Sequence, residues 1–288
     1  MINFENRVAV MTGAGRGLGY AYAELLARRG AGVVLHDVGA DKDGRSLDAS
    51  VAEAAAARLH AQGYDVRAAS GPIDSREGCR ALIEEAVSAY GRLDILIHNA
   101  GWVGYQEIEE LQPDFLARMT ALGVETPLWL AQAAWPYMKS RGYGRILLTT
   151  SDRALYPEHV QKGLAAYAAS KMAIVGITNV LASEGEPHGI LANAISPVAK
   201  TRMWSVDGEP DELRPDAVAP GAVFLVSEDC RASAWVLRAS NGQFHAVKAS
   251  EAEGVDYPRD LRAVSAETLE TVAEAWEKIA LGLPEARH

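Results

Sequence analysis

Cysteine is almost missing: only Cys79 and Cys230 occur in 288 residues, far apart and without His or Cys neighbours. That excludes a disulfide framework and offers no zinc-ligand spacing, so no metal is expected and a reducing compartment fits. A basic excess is missing too. Lys and Arg number 28 against 38 Asp and Glu, a formal net charge of -10, which argues against a nucleic-acid partner and leaves no polybasic patch for a membrane. No apolar run approaches the roughly 20 residues needed to span a bilayer, and "MINFENRVAV" lacks the basic-then-apolar order of a signal peptide. The expectation is a cytoplasmic protein with no membrane partner. Low-complexity tracts are lacking as well, and 49% apolar with 23% charged residues is ordinary for a chain that folds by itself.

What is present is an alternation. Short apolar or β-branched runs, "RVAVMT" (7-12), "AGVVLHD" (31-37), "YDVRAAS" (64-70), "LDILIHNA" (93-100), "GRILLTTS" (144-151) and "ILANAIS" (190-196), are separated by amphipathic segments. Six such strands predict an α/β protein, a doubly wound parallel sheet with helices on both faces. "YAYAELLARRG" (20-30) ends on Gly30, and "SREGCRALIEEAVSAYG" (75-91) starts on a capping Ser75 and stops at Gly91. After Thr201 the pattern loosens into a Gly/Pro/charge-rich loop at about 202-216. A helical tail follows at about 265-282, with Ser265 as its cap and Leu269, Val272, Trp276 and Ile279 on one face.

Directly after the first strand comes "TGAGRGLG" (12-19). Glycines at 13, 17 and 19 allow a tight turn and close backbone approach, so a pyrophosphate can sit on the N-terminus of the helix that follows. The spacing is T-G-x-x-x-G-x-G rather than G-x-G-x-x-G. Asp37 closes the second strand, 20 residues beyond Gly17, where a carboxylate can accept ribose hydroxyls and repel a 2'-phosphate. That favours NAD. A turn cap is the plainer role for Asp37, and Arg16, which can face a phosphate, keeps NADP open.

Tyr167 and Lys171 in "YAASK" lie four apart in a helix-prone segment, so both side chains share one face. A tyrosine titrates near ~10 when unperturbed, too high for ready proton exchange at neutral pH. A neighbouring lysine cation stabilises the phenolate and makes the tyrosine a usable acid and base. Alone, this pair is commonplace in helices. In order with "TGAGRGLG", "HNAG" (98-101) and "SPVAKTRM" (196-203), it makes residues 5 to 205 resemble the short-chain dehydrogenase/reductase family.

The resemblance implies one Rossmann-like dinucleotide-binding and catalytic domain over 1-288, a nicotinamide cofactor, and hydride transfer at a carbinol or carbonyl carbon. Tyr167 would be the proton donor or acceptor, and Lys171 would also hold the nicotinamide ribose. Gly13, Arg16, Gly17, Leu18 and Gly19 would cradle the phosphates. Asn99, Ala100 and Gly101 would line the cofactor, with Pro197, the Val198 backbone and Thr201 at its carboxamide. A serine near the end of the fifth strand would bind the substrate oxygen.

Several positions depart from the family pattern. The serine 13 residues before the tyrosine is replaced by Ala154; the favoured substitute is Ser151, with a three-residue insertion in "EHVQKG" (158-163), and Thr150 is the other hydroxyl. Gly123 stands where the family has an asparagine. With Pro127 four residues on, either its carbonyl keeps a water-borne proton relay to Lys171, or the pair simply kinks the helix. His98 replaces the first asparagine of N-N-A-G and is expected to be a packed, hydrogen-bonded group rather than a catalyst. Val198 replaces the glycine of P-G. Pro72 and Ile73 occupy the usual adenine-contacting Asp-Val, leaving Asp74 as the candidate there.

Trp102, Tyr105, Tyr156 and Trp204 each follow a strand's C-terminal end and could line an apolar pocket, no more than two of them touching substrate. The segment 33-63 with 213-228 and the tail is similar to the branch containing the hydroxyacyl-CoA dehydrogenase unit of peroxisomal multifunctional enzymes and hydroxysteroid dehydrogenases. That implies a bulky apolar alcohol or ketone as the small-molecule partner: cyclic, aryl, steroid-like or 3-hydroxyacyl. A coenzyme-binding scaffold or redox sensor without turnover is the alternative. By family analogy the assembly is a homotetramer or homodimer.

Overall fold

A computed structural model describes residues 1-41, 44-45, 47-201 and 211-281. These fall into two compact units, Met1–Val247 and Lys248–His288, where the sequence suggested one domain with a helical extension.

The first unit is built on an eight-stranded sheet in the order β3-β2-β1-β4-β5-β6-β7-β8. The strands are β1 Val8–Thr12, β2 Gly32–His36, β3 Val66–Ala69, β4 Ile95–His98, β5 Gly144–Thr149, β6 Ile190–Val198, β7 Val236–Ser240 and β8 Gln243–Val247. All pair in parallel except β8, which returns antiparallel along β7. The six expected strands are all there. The last two are additions, joined by Asn241-Gly242, a two-residue turn with both φ positive of the kind a tight hairpin demands.

Helices α1 Gly17–Arg28, α2 Ser50–His60 and α8 Pro215–Leu225 cover one face of the sheet; α3 Arg76–Tyr90, α5 Thr126–Arg141 and α7 Ala165–Gly185 cover the other. Strand residues divide accordingly. Ala9, Met11, Ile95, Ile97 and Leu147 belong to the first core, and Val10, Leu96, Ile146 and Leu148 to the second. Burial on both faces is why these strands read as unbroken apolar runs. Helix α3 is capped as expected, by Ser75 Oγ accepting from the Gly78 N–H and by Gly91 in the left-handed region.

The segment Ala165–His188 is long and apolar enough to cross a membrane by length and composition, with a mean hydropathy of 1.3. Its buried residues Ile174, Leu181 and Ala182 belong to the second core, which is the ordinary place for such a helix.

Two short helices, α4 Pro113–Thr120 and α6 Asp152–Leu155, stand at the carboxyl edge of the sheet. Between α4 and α5 the chain makes a π-helical turn over Ala121–Glu125, in which the Thr126 N–H donates to the Ala121 carbonyl. In this wider register the Leu122 carbonyl falls opposite residue 127, a proline with no N–H to give. The second unit carries α9 Leu269–Leu281. Its cap is Thr268, whose Oγ1 accepts from the Thr271 N–H at 3.1 Å while Thr271 Oγ1 accepts from the Thr268 N–H at 3.0 Å. This reciprocal pair, rather than Ser265, starts the helix. Leu269, Val272 and Trp276 are exposed on it.

Candidate active site

The strand order reverses between β1 and β4, so the loops leaving their carboxyl ends diverge and open a crevice there. The glycine loop lines it. A Cβ added at Gly13 would come within 2.7 Å of the Ala100 backbone, and one at Gly19 would collide with the Gly13 carbonyl oxygen. Asn99 Nδ2 donates to that carbonyl at 2.9 Å. The N-cap, Arg16, forms no side-chain cap bond, and no acid occupies the first turn of α1. The helix therefore presents its leading N–H groups to an incoming anion, and the cradle fits a pyrophosphate-bearing nucleotide. Leu18 packs on the core, and the Thr201 methyl lies 3.1 Å from where a Gly17 side chain would begin. Pro197 and Val198 end β6 half-buried, and Asp74 is exposed beyond β3.

Asp37 Oδ2 accepts from the Gly15 N–H at 2.9 Å and Oδ1 from the Gly39 N–H at 2.8 Å. The carboxylate caps a turn and ties β2 to the glycine loop. Each oxygen keeps a further lone pair for a ribose hydroxyl.

At the other end of the crevice, α7 places Tyr167 and Lys171 one turn apart, 9% and 7% exposed. Lys171 Nζ donates to the Thr149 carbonyl at 3.0 Å and lies 5.8 Å from the Tyr167 ring centroid. A side chain on Gly101 would stand 3.4 Å from that Nζ. Burial lowers the ammonium to about 8. Burial also raises the phenol, opposed by a hydrogen bond with Ser151 and the charge of Arg153. The relief expected from Lys171 comes from these two groups instead, because the lysine is turned toward a backbone carbonyl.

Ser151 is the hydroxyl that meets the phenol. It caps α6, accepting from the Arg153 N–H at 3.3 Å. Thr150 is otherwise engaged, its buried Oγ1 donating to the Lys171 carbonyl at 2.6 Å. The extra residues between Ser151 and Tyr167 are taken up by α6 and a 3₁₀ turn, Pro157–His159. Sequence reasoning missed Asp152 and Arg153, which follow Ser151, and Arg238 on β7, which grips Asp152 through Nε and Nη2.

His98 is a packed, hydrogen-bonded group, as its position suggested. Its Nε2 lies 3.2 Å from the Leu122 carbonyl and its Nδ1 2.8 Å from Thr12 Oγ1. A carbonyl only accepts, so Nε2 carries the proton and Nδ1 accepts from the threonine hydroxyl. That hydroxyl oxygen in turn accepts from the Ala100 N–H at 3.2 Å. The carbonyl that Pro127 leaves unmatched is thereby satisfied. Gly123 is itself closely packed: a Cβ there would stand 2.7 Å from Ser170 Cβ on α7.

Of the four aromatics, Trp102 packs edge-on against Phe115 at 5.1 Å, beside the cluster of Met119, Leu164, Ala166 and Tyr167. Tyr105 is exposed and Tyr156 lies under Arg238. Trp204 and most of the 202-216 loop lie outside the described residues.

A short chain dehydrogenase family model matches residues 7–211. The chain is 32% identical over 284 residues to peroxisomal multifunctional enzyme A of Dictyostelium discoideum, covering 96% of this chain and 61% of that one. It is 33% identical over 289 residues to peroxisomal multifunctional enzyme type 2 of Mus musculus, covering 96% and 37%. It thus spans less than two thirds of these relatives' length. A crystal structure of a short chain dehydrogenase from Mycobacterium avium superposes with a TM-score of 0.80 at 26% identity, over 96% of this chain and 95% of the other. The chain belongs to the short-chain dehydrogenase family, the NAD(P)-dependent oxidoreductases that act on CH–OH groups.

Proposed function

We propose that this protein interconverts a secondary alcohol and a ketone on a bulky apolar substrate, with Tyr167 as acid and base and NAD as the preferred coenzyme. The observation that carries the reading is the meeting of Ser151, Tyr167 and Lys171 at the carboxyl edge of the sheet, next to a glycine cradle. The coenzyme, when bound, supplies or accepts the hydride. Gly13, Gly17, Gly19 and the start of α1 would hold its phosphates, Asp37 its adenosine ribose, Lys171 its nicotinamide ribose, and Asn99 to Gly101 with Pro197, Val198 and Thr201 its nicotinamide half.

The chain's own work is proton handling. Ser151 Oγ holds the substrate oxygen against Tyr167 Oη, which gives its proton to a forming alkoxide or takes one from the alcohol. Burial resists the phenolate, and Ser151 with Arg153 offsets that resistance. The apolar wall of Met119, Leu164, Trp102 and Phe115 beside the phenol suits a cyclic, aryl, steroid-like or acyl body. One catalytic domain, a cytoplasmic location and a homotetramer or homodimer complete the proposal.

NADH oxidation with a panel of ketones tests it. Turnover that Tyr167→Phe abolishes while NADH binding persists supports the reading. NADH binding without turnover on any ketone would make the protein a scaffold or sensor instead.

A further inference from the structure

Among the described residues three cations stand near the reacting end of the cleft, and two are committed. Lys171 is buried with Nζ on the Thr149 carbonyl, and Arg238 is paired with Asp152. Arg153 differs. Among the described residues its guanidinium has one side-chain partner, the neutral hydroxyl of Tyr105, which accepts from Nη1 at 3.1 Å and donates to Gln161 Oε1 at 3.0 Å. The adjacent carboxylate, Asp152, is turned away to Arg238 and Ser196.

Arg153 is also fixed in place. Its N–H is bound by Ser151 Oγ, and the Tyr105–Gln161 bond joins the segment after β4 to the loop before α7. That loop is further tied by the Gln106 N–H on the Gly163 carbonyl at 2.9 Å. The guanidinium therefore stands at the rim of the cleft, near enough for the Tyr167 phenol to feel its charge. An arginine presents five donors in a planar fork that matches a carboxylate, and one phenolic hydroxyl uses only one of them. Among the described residues no carboxylate pairs with this half-buried arginine, and in a chain of net charge -10 such a fork beside the apolar wall of the cleft suits an incoming anion.

We propose that Arg153 is a specificity-determining residue that binds a carboxylate on the substrate, so that the preferred substrates are amphiphilic keto acids and hydroxy acids. Their apolar body packs toward Trp102 and Leu164, and their reacting carbon lies at Tyr167. This rests on the alcohol/ketone reading of the same site.

The test uses cyclic and aryl keto acids, each paired with its methyl ester, in NADH-dependent reduction by the full chain. In the wild type kcat/KM favours the acid over the ester by about tenfold, the worth of one charge-assisted contact, and the difference lies in KM. Arg153→Met brings the acid-to-ester ratio to about one, and Arg153→Lys restores part of it. Effects of the lost charge on Tyr167, or of a loosened Tyr105 contact, touch both members of a pair and cancel in the ratio. A wild-type ratio near one, or a ratio that Arg153→Met leaves intact, overturns the inference while turnover of the esters keeps the alcohol/ketone reading. No turnover of either member overturns both.

Discussion

Arg238 and Asp152 are held together by three hydrogen bonds, from Nη2 to Oδ2 at 2.8 Å and from Nε to the two carboxylate oxygens at 3.0 and 3.1 Å. Ser196 Oγ donates to the same carboxylate at 2.7 Å, and the guanidinium lies 4.3 Å over the Tyr156 ring. Asp152 directly follows Ser151, so β6 and β7 brace the turn that aims the serine at Tyr167. Arg238→Met is expected to lower stability by about 1–2 kcal/mol, since the pair is only partly screened from water. It should also reduce kcat more than it raises KM, because in the proposed reaction a misaimed Ser151 would fail chiefly in the transition state. Arg238→Lys should recover part of both. Urea denaturation and steady-state kinetics decide; an unchanged kcat alongside lost stability would make the brace purely structural.

Asp37 caps a turn and in the proposed reading also meets the coenzyme ribose, so its two roles need separating. Asp37→Ser keeps a short oxygen that can take the Gly39 N–H while removing the charge. NADH should bind about tenfold more weakly and NADPH more tightly, because the repulsion of a 2'-phosphate is gone. Titrating both coenzymes by fluorescence gives the ratio. An identical NADH-to-NADPH preference in the variant sinks the assignment of Asp37 as the discriminator.

Gly123 allows the π turn to sit against α7. A Cβ would lie 2.7 Å from Ser170 Cβ and 2.8 Å from its Oγ, and neither belongs to a side chain long enough to swing away. Gly123→Ala should cost about 1–3 kcal/mol by overpacking, and Ser170→Gly in the same chain should recover much of it. Chemical denaturation of the two single variants and the double variant measures that coupling. Additive losses would show that the two residues do not meet.

The parts of this molecule that are legible in its sequence are those fixed by local pattern. β1, β2, β4, β5 and β6 announce themselves because both faces are largely buried, β3 is a shorter strand with Arg67 exposed, and the strand-turn-helix context of "TGAGRGLG" needs only adjacent residues. β7 and β8 escape notice because Arg238 and His245 interrupt "VLRAS" and "QFHAV", although Asn241-Gly242 between them is a hairpin signal. Ser151 is found once an insertion is allowed before Tyr167. Its support is not, since Arg238 lies 86 residues from Asp152 and no local rule pairs them. The chain from Ala100 through Thr12 and His98 to Leu122 is hidden for another reason. A π register sets the Leu122 carbonyl opposite Pro127, and apolar spacing does not reveal that register.

His98 makes that chain sensitive to acid. Its imidazole is pushed down to about 3, first by burial and then by the charge of Lys171, with the Leu122 carbonyl acting the other way and His36 adding a smaller push downward. Below its ordinary value near ~6.5 the unfolded chain takes up a proton that the folded chain refuses. Stability should therefore be fully present above about pH 6.5 and fall progressively as the pH drops toward 3. Protonation would also put a donor at Nδ1, where the Thr12 hydroxyl now donates, and so break the link to Ala100. His98→Asn removes the titrating group, so its melting temperature between pH 6.5 and 4.5 should decline less steeply than that of the wild type. Part of the slope should survive, because His36 is buried and lowered as well. Above pH 7 the order reverses, since asparagine is too short to span both Thr12 and Leu122 and forfeits about 1 kcal/mol for the lost bond. Thermal melts of both proteins across this range are the measurement, and parallel slopes would remove His98 as the acid-sensitive group.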